Sequence, residues 1–152
     1  MSGCIFCDIL AGSAPASVVY EDDIAIVILD LFPVSDGHAL IIARQHAARV
    51  NQLAPGVSAH MMALAGRLMT AQGHLDPSVE AHNLLINDGK VANQHVPHVH
   101  LHVIPRRRGD GLQSLLNWST RFLQRFNMTA RRQRLDRLAA ALREQLRAGG
   151  LQ

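Results

Sequence analysis

The strongest constraint on the fold is a run of histidines that alternates with apolar residues. Four histidines fall within residues 95–102, and the last three lie in the alternating segment His98, Val99, His100, Leu101, His102, Val103. In a strand, successive side chains point to opposite faces, and residues i and i+2 lie about 7 Å apart on one face. The pattern predicts a strand with one apolar face and one row of imidazoles. Pro97 suits the start of such a strand, and Pro105 is expected to end it.

The imidazole row has two functional interpretations. Neighbouring imidazolium groups repel, and buried neutral ones each need a partner, so three in a row are a poor structural choice. Imidazole binds zinc, copper, iron and nickel, so the row could hold a transition metal. Alternatively, one imidazole could act as a nucleophile while its neighbours supply protons and positive charge to an anionic substrate.

The residues that follow the row bear on this choice. Arg106–Arg108 bring three cations close to the histidines. Iron and copper sites usually add a carboxylate or thiolate near their histidines, whereas cationic surroundings disfavour a metal ion and favour a phosphate. A solvated turn would explain these arginines equally well, so both interpretations stay open.

The row and several upstream segments resemble the histidine-triad nucleotide hydrolases and transferases, a family defined by His-x-His-x-His and two following apolar residues. Residues 98–104 match this pattern at every position. The resemblance runs from Cys4 to about Trp118, and its further blocks are Tyr20–Asp23, Asp30, Gly37–Ile42, His46 and Asn87–Gly89. Residues 4–7 read Cys-Ile-Phe-Cys, as in one group of bacterial members.

Length and composition favour a small cytoplasmic protein. The 152 residues are predicted to form a single domain, 1–152, with the family core at about 4–118. Although 48% of the residues are hydrophobic, no apolar run approaches the roughly 18 residues of a membrane span. No signal peptide is evident, and two cysteines do not make a secreted disulfide framework. We therefore expect a cytoplasmic protein with no membrane partner.

The strand and helix patterns predict an α+β fold, in which helices pack against one face of a mostly antiparallel five-stranded sheet. A helix is expected at 4–10, and a second one follows Ser58 as its cap and runs to about Leu75. The strands are expected at 18–21, 24–30, 38–43, 83–87 and the histidine row. The family resemblance implies the same fold, and it implies homodimers in which two such sheets associate.

A C-terminal amphipathic helix is predicted at about 128–148. Its apolar side chains recur at spacings of three and four: Leu135, Leu138, Leu142 and Leu146. The arginines of the same segment are expected on its polar, solvated face. Despite the net charge of +3, we therefore expect no nucleic-acid partner.

The family resemblance implies a mechanism. His100 would be the nucleophile that attacks the α-phosphate of an adenylated or dinucleoside polyphosphate substrate, forms a transient nucleotidyl-histidine and releases a nucleoside monophosphate. His98 and His102 would orient it and place positive charge near the phosphate, and His38 would support the triad from a neighbouring strand. An unperturbed pKa near 6.5 leaves imidazole largely neutral at pH 7, so this chemistry requires no metal.

A purine nucleotide site is also implied. Asp30 corresponds to an acidic residue that accepts hydrogen bonds from the ribose hydroxyls, Asn87 to a phosphate-contacting asparagine, and Gln94 to a glutamine before the triad. The apolar slot for the base would consist of Ile5, Phe6, Ile9, Ile28 and Leu31.

One departure from the family concerns the residue just before the triad. The family usually has Gly-Gln-Ser or Gly-Gln-Thr there, whereas this chain has Asn93-Gln94-His95. His95 therefore replaces the hydroxyl that contacts the leaving group, which leaves the leaving-group preference open.

The two cysteines form a Cys-x-x-Cys pair, which by itself fits a metal half-site or a reduced dithiol. The family resemblance suggests a tetrahedral zinc held by Cys4, Cys7, His46 and His98. Such a closed set is typical of a structural zinc, and it would clamp the N-terminal helix to the histidine strand.

Two other classes of function stay open from the sequence. One is a nucleotide-binding or nucleotide-sensing module whose hydrolysis is incidental. The other is a metal-dependent enzyme that uses the whole histidine row as ligands.

Overall fold

The fold is built from short strands in one sheet, with helices packed on it. The computed structural model describes residues 3–111, 113, 116–117 and 128–150, so Trp118 lies outside the described residues. The strands are β1 (Val18–Glu21), β2 (Ala25–Leu29), β3 (Ala39–Ala43), β4 (Val79–Leu85) and β5 (His100–Arg107). The helices are α1 (Ile5–Leu10), α2 (Val57–Leu75) and α3 (Met128–Ala148), and 3₁₀ turns lie at Val50–Gln52 and Lys90–Ala92.

The sheet places the histidine strand between two neighbours. Its order is β1-β2-β3-β5-β4, and all adjacent strands pair antiparallel. β2 and β3 are buried along their whole length, which is why their sequences are continuously apolar. The β3–β5 register places Leu40 opposite His102 and Ile42 opposite His100. The predicted α+β fold with a five-stranded antiparallel sheet is confirmed.

The two faces of β5 have different partners, as the alternation predicts. Val99, Leu101 and Val103 belong to the main core, which the sheet shares with α2 and α3. The triad histidines are buried on the other face, where Phe6 of α1 and Cys4, which caps that helix, belong to a second apolar cluster. Helices therefore cover both faces of the sheet, and the expectation that they lie on one face only is wrong.

The C-terminal helix has the predicted range. Three of its four predicted apolar contacts, Leu135, Leu142 and Leu146, are buried together with Ala139, whereas Leu138 is only partly buried. α3 packs against α2 and β1. None of the helices in the described part of the chain combines the length and apolar character needed to cross a membrane.

The expectation that β5 ends at Pro105 is wrong, because the strand continues to Arg107. The pairing with β3 goes no further than Ala39 opposite Val103, so Pro105 pairs only with His82 of β4. A proline has no N–H to donate, and here only one side of β5 has a neighbouring strand. The Ser35 hydroxyl donates to the Pro105 carbonyl at 2.6 Å, so the proline is accommodated at the edge of the pairing.

Three other expected boundaries are wrong. β5 begins at His100 rather than near Pro97, and β4 covers Val79–Leu85 rather than 83–87, because the extended β5 gives it a longer partner. Ser58 lies inside α2, whose N-cap is Gly56 in a left-handed conformation (φ 87°).

Candidate active site

A cavity of about 630 Å³ opens beside the triad. His100 and His102 line it from β5, and residues of α1, β2 and the loop after β4 supply most of the other walls. The cavity brings together nearly all residues predicted to bind the nucleotide: Ile5, Phe6, Ile9, Ile28, Asp30, Leu31, Asn87 and His95. His38, His98 and Gln94 are not part of its lining.

The His100 ring has a defined proton arrangement. Its Nδ1 lies 2.7 Å from the carbonyl oxygen of His98. A carbonyl only accepts, so Nδ1 carries the hydrogen and Nε2 of the neutral ring carries the lone pair. The Phe6 ring packs edge-on against His100 with centroids 4.9 Å apart. The site therefore presents an oriented, unprotonated imidazole nitrogen, which can act as a nucleophile or a base.

His102 is oriented by a second buried histidine. The Val34 N–H donates to Nδ1 of His38 at 3.1 Å, so the hydrogen of a neutral His38 is on Nε2. That nitrogen lies 2.9 Å from Nδ1 of His102. His102 then accepts at Nδ1 and carries its own N–H at Nε2, which makes it a hydrogen-bond donor beside the cavity.

Asp30 lies at the end of β2, and it is buried with 5% of its surface exposed. Its Oδ1 accepts from the Phe32 N–H at 2.9 Å, and its Oδ2 lies 3.5 Å from Nδ1 of His38. The carboxylate thus fixes the turn after β2 and also borders the cavity. It has the chemistry to accept hydrogen bonds from a vicinal diol.

The loop after β4 forms the wall that carries Asn87 and His95. It turns at Gly89, whose φ is 108°, and a Cβ there would lie 2.8 Å from Nη1 of Arg49. Gln94 secures this turn, because its Oε1 accepts from the Gly89 N–H at 2.8 Å and its Nε2 donates to the Ala48 carbonyl at 2.9 Å. Gln94 therefore shapes the loop through backbone contacts.

Cys4, Cys7, His46 and His98 form a compact group that could hold a metal ion. Nδ1 of His98 lies 3.5 Å from the Cys4 Sγ, 3.7 Å from the Cys7 Sγ and 3.2 Å from Nδ1 of His46, which is itself 3.2 Å from the Cys7 Sγ. A tetrahedral zinc with bonds of about 2.0–2.3 Å separates its ligand atoms by roughly 3.3–3.8 Å. The four residues therefore fit zinc closely.

The protonation of His98 also suits a ligand. Its Nε2 lies 2.7 Å from the Ala43 carbonyl oxygen and must donate to it, which leaves Nδ1 unprotonated and facing the sulfur atoms. Burial lowers the pKa of His98, and the charge of His46 lowers it further, against the opposing effect of the Ala43 carbonyl. The neutral imidazole that binds a metal is thereby favoured.

The sequence reasoning missed one charged residue of the cavity. Arg132 of α3 lines it, together with residues of the segment before β1. Its spacing carries a signal, because residues 132, 135, 139, 142 and 146 follow the same three-and-four repeat as the buried stripe. Arg132 continues this spacing at the N-terminal end of the helix and lines the cavity, although the arginines of this segment are expected on its solvated face.

Comparison with known proteins gives the family. The HIT domain model matches residues 11–109. An adenylylsulfatase of Arabidopsis thaliana is 34% identical over 143 residues, which cover 91% of this chain and 65% of that protein. An adenosine 5'-monophosphoramidase of Schizosaccharomyces pombe is 38% identical over 103 residues, covering 68% of this chain and 74% of the relative.

Among solved structures, a zinc-bound histidine triad family protein from Mycobacterium smegmatis has a TM-score of 0.76 and 34% sequence identity. The match covers 96% of this chain and 94% of that one, so it includes the C-terminal region beyond the HIT domain match. Taken with the triad and its cavity, these matches establish that the chain belongs to the HIT domain family.

Proposed function

We propose that the protein is a nucleotide hydrolase or transferase that acts at the α-phosphate of adenylated or dinucleoside polyphosphate substrates. The observation that carries this proposal is the hydrogen bond from Nδ1 of His100 to the His98 carbonyl, which leaves Nε2 as the nucleophilic nitrogen beside the cavity. The names of two relatives, an adenylylsulfatase and an adenosine phosphoramidase, support the substrate class.

The reaction proceeds in two displacements at phosphorus. Nε2 of His100 forms a bond to the α-phosphorus, and the bond from phosphorus to the leaving group breaks, its electron pair departing with the leaving group. The ring then carries a positive charge, which the His98 carbonyl stabilises by accepting the Nδ1 hydrogen. A water molecule next attacks phosphorus, the P–N electron pair returns to His100, and the water proton passes to solvent. The product is a nucleoside monophosphate.

His102 and His38 support the phosphoryl group in this scheme. The Nε2–H of His102 donates to a phosphoryl oxygen, where negative charge develops in the transition state. His38 holds the ring in that orientation through its 2.9 Å hydrogen bond. His98 acts on His100 through its backbone carbonyl, since its own ring faces the cysteines.

The nucleotide occupies the cavity with its phosphate toward β5. Asp30 accepts from the ribose hydroxyls, and the apolar slot of α1 and β2 holds a purine base. Asn87 and His95 contact the phosphate and the leaving group from the loop after β4. His95 in place of a hydroxyl adds a ring that can donate and accept, which favours anionic leaving groups such as sulfate, phosphate or carboxylate.

Zinc held by Cys4, Cys7, His46 and His98 would have a structural role. The four residues would supply a complete tetrahedral set of ligands and leave no position open for substrate. The metal would tie α1 to the start of the histidine strand. Because this set needs reduced thiols, we also propose a cytoplasmic location.

We also propose that the protein forms a homodimer through β4. This strand lies at one edge of the sheet, and Leu84 and Leu85 are 39% and 37% exposed there. An exposed apolar edge strand is a ready site for pairing with another strand. Light scattering should give twice the mass of the 16.6 kDa chain, and a monomer at micromolar concentration would contradict the dimer.

The test of the catalytic proposal uses a substrate panel. The purified protein is given adenylyl sulfate, an adenosine phosphoramidate, an aminoacyl adenylate and a diadenosine polyphosphate, and released AMP is measured with and without a chelator. We expect AMP from at least one substrate, at a rate that the chelator does not change. Quenching in denaturant should trap a nucleotidyl adduct on His100. Absence of AMP release, or an adduct on His98 or His102, would overturn the proposal.

A metal-dependent reaction is the second candidate, and one observation favours it. Ligand atoms of Asp30, His38 and His102 lie within 4.8 Å of one another, so these residues could hold a metal ion beside the cavity. Nε2 of His38 already donates to Nδ1 of His102, and Nδ1 of His38 accepts from the Val34 N–H, which is why we prefer the metal-free mechanism. Loss of AMP release in the chelator arm, with the fold intact, would favour the metal.

A further inference from the structure

We infer that Arg132 reads the edge of the bound base and makes the site prefer 6-oxopurines, such as guanine and hypoxanthine, over adenine. This inference rests on the proposed nucleotide site and adds the chemistry of the base to it. Arg132 belongs to α3, which lies outside the HIT domain match at residues 11–109.

The position of Arg132 relative to the triad indicates which part of a nucleotide it meets. Its Nη2 donates to the Pro15 carbonyl at 3.3 Å and its Nη1 to the Ser17 hydroxyl at 3.4 Å. These residues directly precede β1, whereas the triad lies on β5, three strands away in the sheet order. At about 4.8 Å between neighbouring strands, β1 lies roughly 14 Å across the sheet from β5. The guanidinium is therefore on the side of the cavity away from the triad.

The cavity walls near Arg132 are those of the base slot. The Leu29 N–H donates to the Ser17 carbonyl at 3.0 Å, which joins the segment that Arg132 contacts to β2. The residue before Leu29, Ile28, lines the slot, as does Ile9 of α1. A nucleotide with its phosphate at His100 would thus extend its base toward the guanidinium.

The guanidinium is held in place by a directed set of hydrogen bonds. The Ser17 hydroxyl has one hydrogen, which it donates to Asp136 at 2.6 Å, so its lone pairs face Arg132. Ser17 is buried, with 2% of its surface exposed. Asp136 lies one helical turn after Arg132 on α3. These contacts orient the side chain beside the cavity and use two of its five N–H groups, so others are left for a ligand.

A guanidinium can only donate hydrogen bonds, and this property determines which purine base it prefers. Guanine and hypoxanthine present two acceptors, O6 and N7, on one edge, and an arginine can bond to both at once. Adenine presents the N7 acceptor beside the N6 amino group, which is a donor and meets the guanidinium N–H unfavourably. Glutamine has the opposite character, because its amide can accept from N6 and donate to N7.

The test measures binding of GMP, IMP and AMP to the full chain by calorimetry, which does not depend on turnover. We expect the wild type to bind GMP and IMP more tightly than AMP by at least about fivefold. Arg132→Ala should bring the ratio close to one, and Arg132→Gln should reverse it in favour of AMP. Arg132→Lys keeps the charge and the stem but loses the fork, so it should also lose most of the preference.

Arg134→Gln is the matched control, since it removes a cation from the same helix. Arg134 pairs with Asp36 at 2.5 Å on the surface and does not line this cavity. The Arg134→Gln variant should leave the ratio of the GMP and AMP affinities unchanged. A wild type that prefers AMP, or a ratio unaltered in all three Arg132 variants, would overturn the inference alone. A wild type that binds none of the three nucleotides would overturn the proposed function as well.

Discussion

His98 and His100 are two residues apart on the same face, yet the fold gives them opposite proton arrangements. His98 donates from Nε2 to the Ala43 carbonyl and turns its unprotonated Nδ1 toward two thiols and His46. His100 donates from Nδ1 to the His98 carbonyl and keeps Nε2 unprotonated beside the cavity. In both cases a backbone carbonyl selects the nitrogen that carries the lone pair. Neighbouring histidines of one motif can therefore serve a metal and a substrate separately.

The largest effect should come from removing the nitrogen assigned to catalysis. His100→Ala should lower turnover by at least about a hundredfold, because the covalent route is lost, while AMP binding stays within about tenfold. Steady-state kinetics and calorimetry check both parts. His74→Ala, which removes an exposed histidine of α2, is the control and should match the wild type. A His100→Ala protein with more than a few per cent of wild-type activity would contradict the catalytic role that distinguishes His100 from His98.

The second-largest effect should be the loss of zinc and of thermal stability when one of the four zinc-site residues is replaced. Cys7→Ser should lose most of the roughly one zinc per chain and should melt at least several degrees lower, since a structural metal contributes directly to folding. For a chain of this size, each 1 kcal/mol corresponds to about 2–4 °C. Turnover measured below the new melting point should survive. Elemental analysis that finds no metal in the wild type would contradict the zinc site. Rates that fall in proportion to the zinc removed would mean that the metal takes part in catalysis.

A smaller effect is expected at the ribose position. Asp30→Ala should weaken binding of ribonucleotides by about 1–3 kcal/mol, through loss of charge-assisted hydrogen bonds, and should affect 2′-deoxynucleotides much less. Calorimetry with AMP and 2′-deoxy-AMP makes this measurement, and Asp23→Ala, at an exposed acidic position, serves as the control. Equal weakening of both ligands would mean that Asp30 only holds the turn after β2.

The smallest effect is on the pH dependence of stability without metal. Burial lowers the pKa of His98 and of His82, so the folded protein binds fewer protons there than the unfolded chain does. The stability that the neutral rings contribute is present above the unfolded pKa of about 6.5 and is lost as the pH falls below it. Urea unfolding of chelator-treated protein at pH 7.5, 6.5 and 5.5 should show this decline, and His98→Asn should reduce it. Stability that rises on acidification would contradict the neutral state assigned to His98.

Much of the fold was predictable because it depends on local periodicity. The alternation at 98–103 fixed which side chains face the core, and the leucine spacing fixed the range of α3. Strand ends were less predictable, since they depend on pairing partners. Predicting that β5 continues through Pro105 requires knowing that its pairing with β3 goes no further than Val103.

The site was predictable where a family motif carries it, and much less so where distant segments meet. The resemblance grouped Asp30, Phe6, His100 and His102, which line one cavity, without information on their geometry. It did not separate Gln94, which bonds to backbone, from the residues that line the cavity. Arg132 was missed because its role depends on how α3 docks beside β1, a contact between residues 115 positions apart in the chain.

The buried stripe of α3 sets the rotational phase of that helix, and the phase decides which residue meets the cavity. Arg132 continues the spacing of the stripe three residues before Leu135 and, at this end of the helix, lines the cavity. One inserted residue between them would turn Arg132 by about 100° around the helix axis and shift it by about 1.5 Å. Insertions and deletions near residue 133 would therefore exchange the side chain presented to the base, while every residue of the histidine strand stays the same.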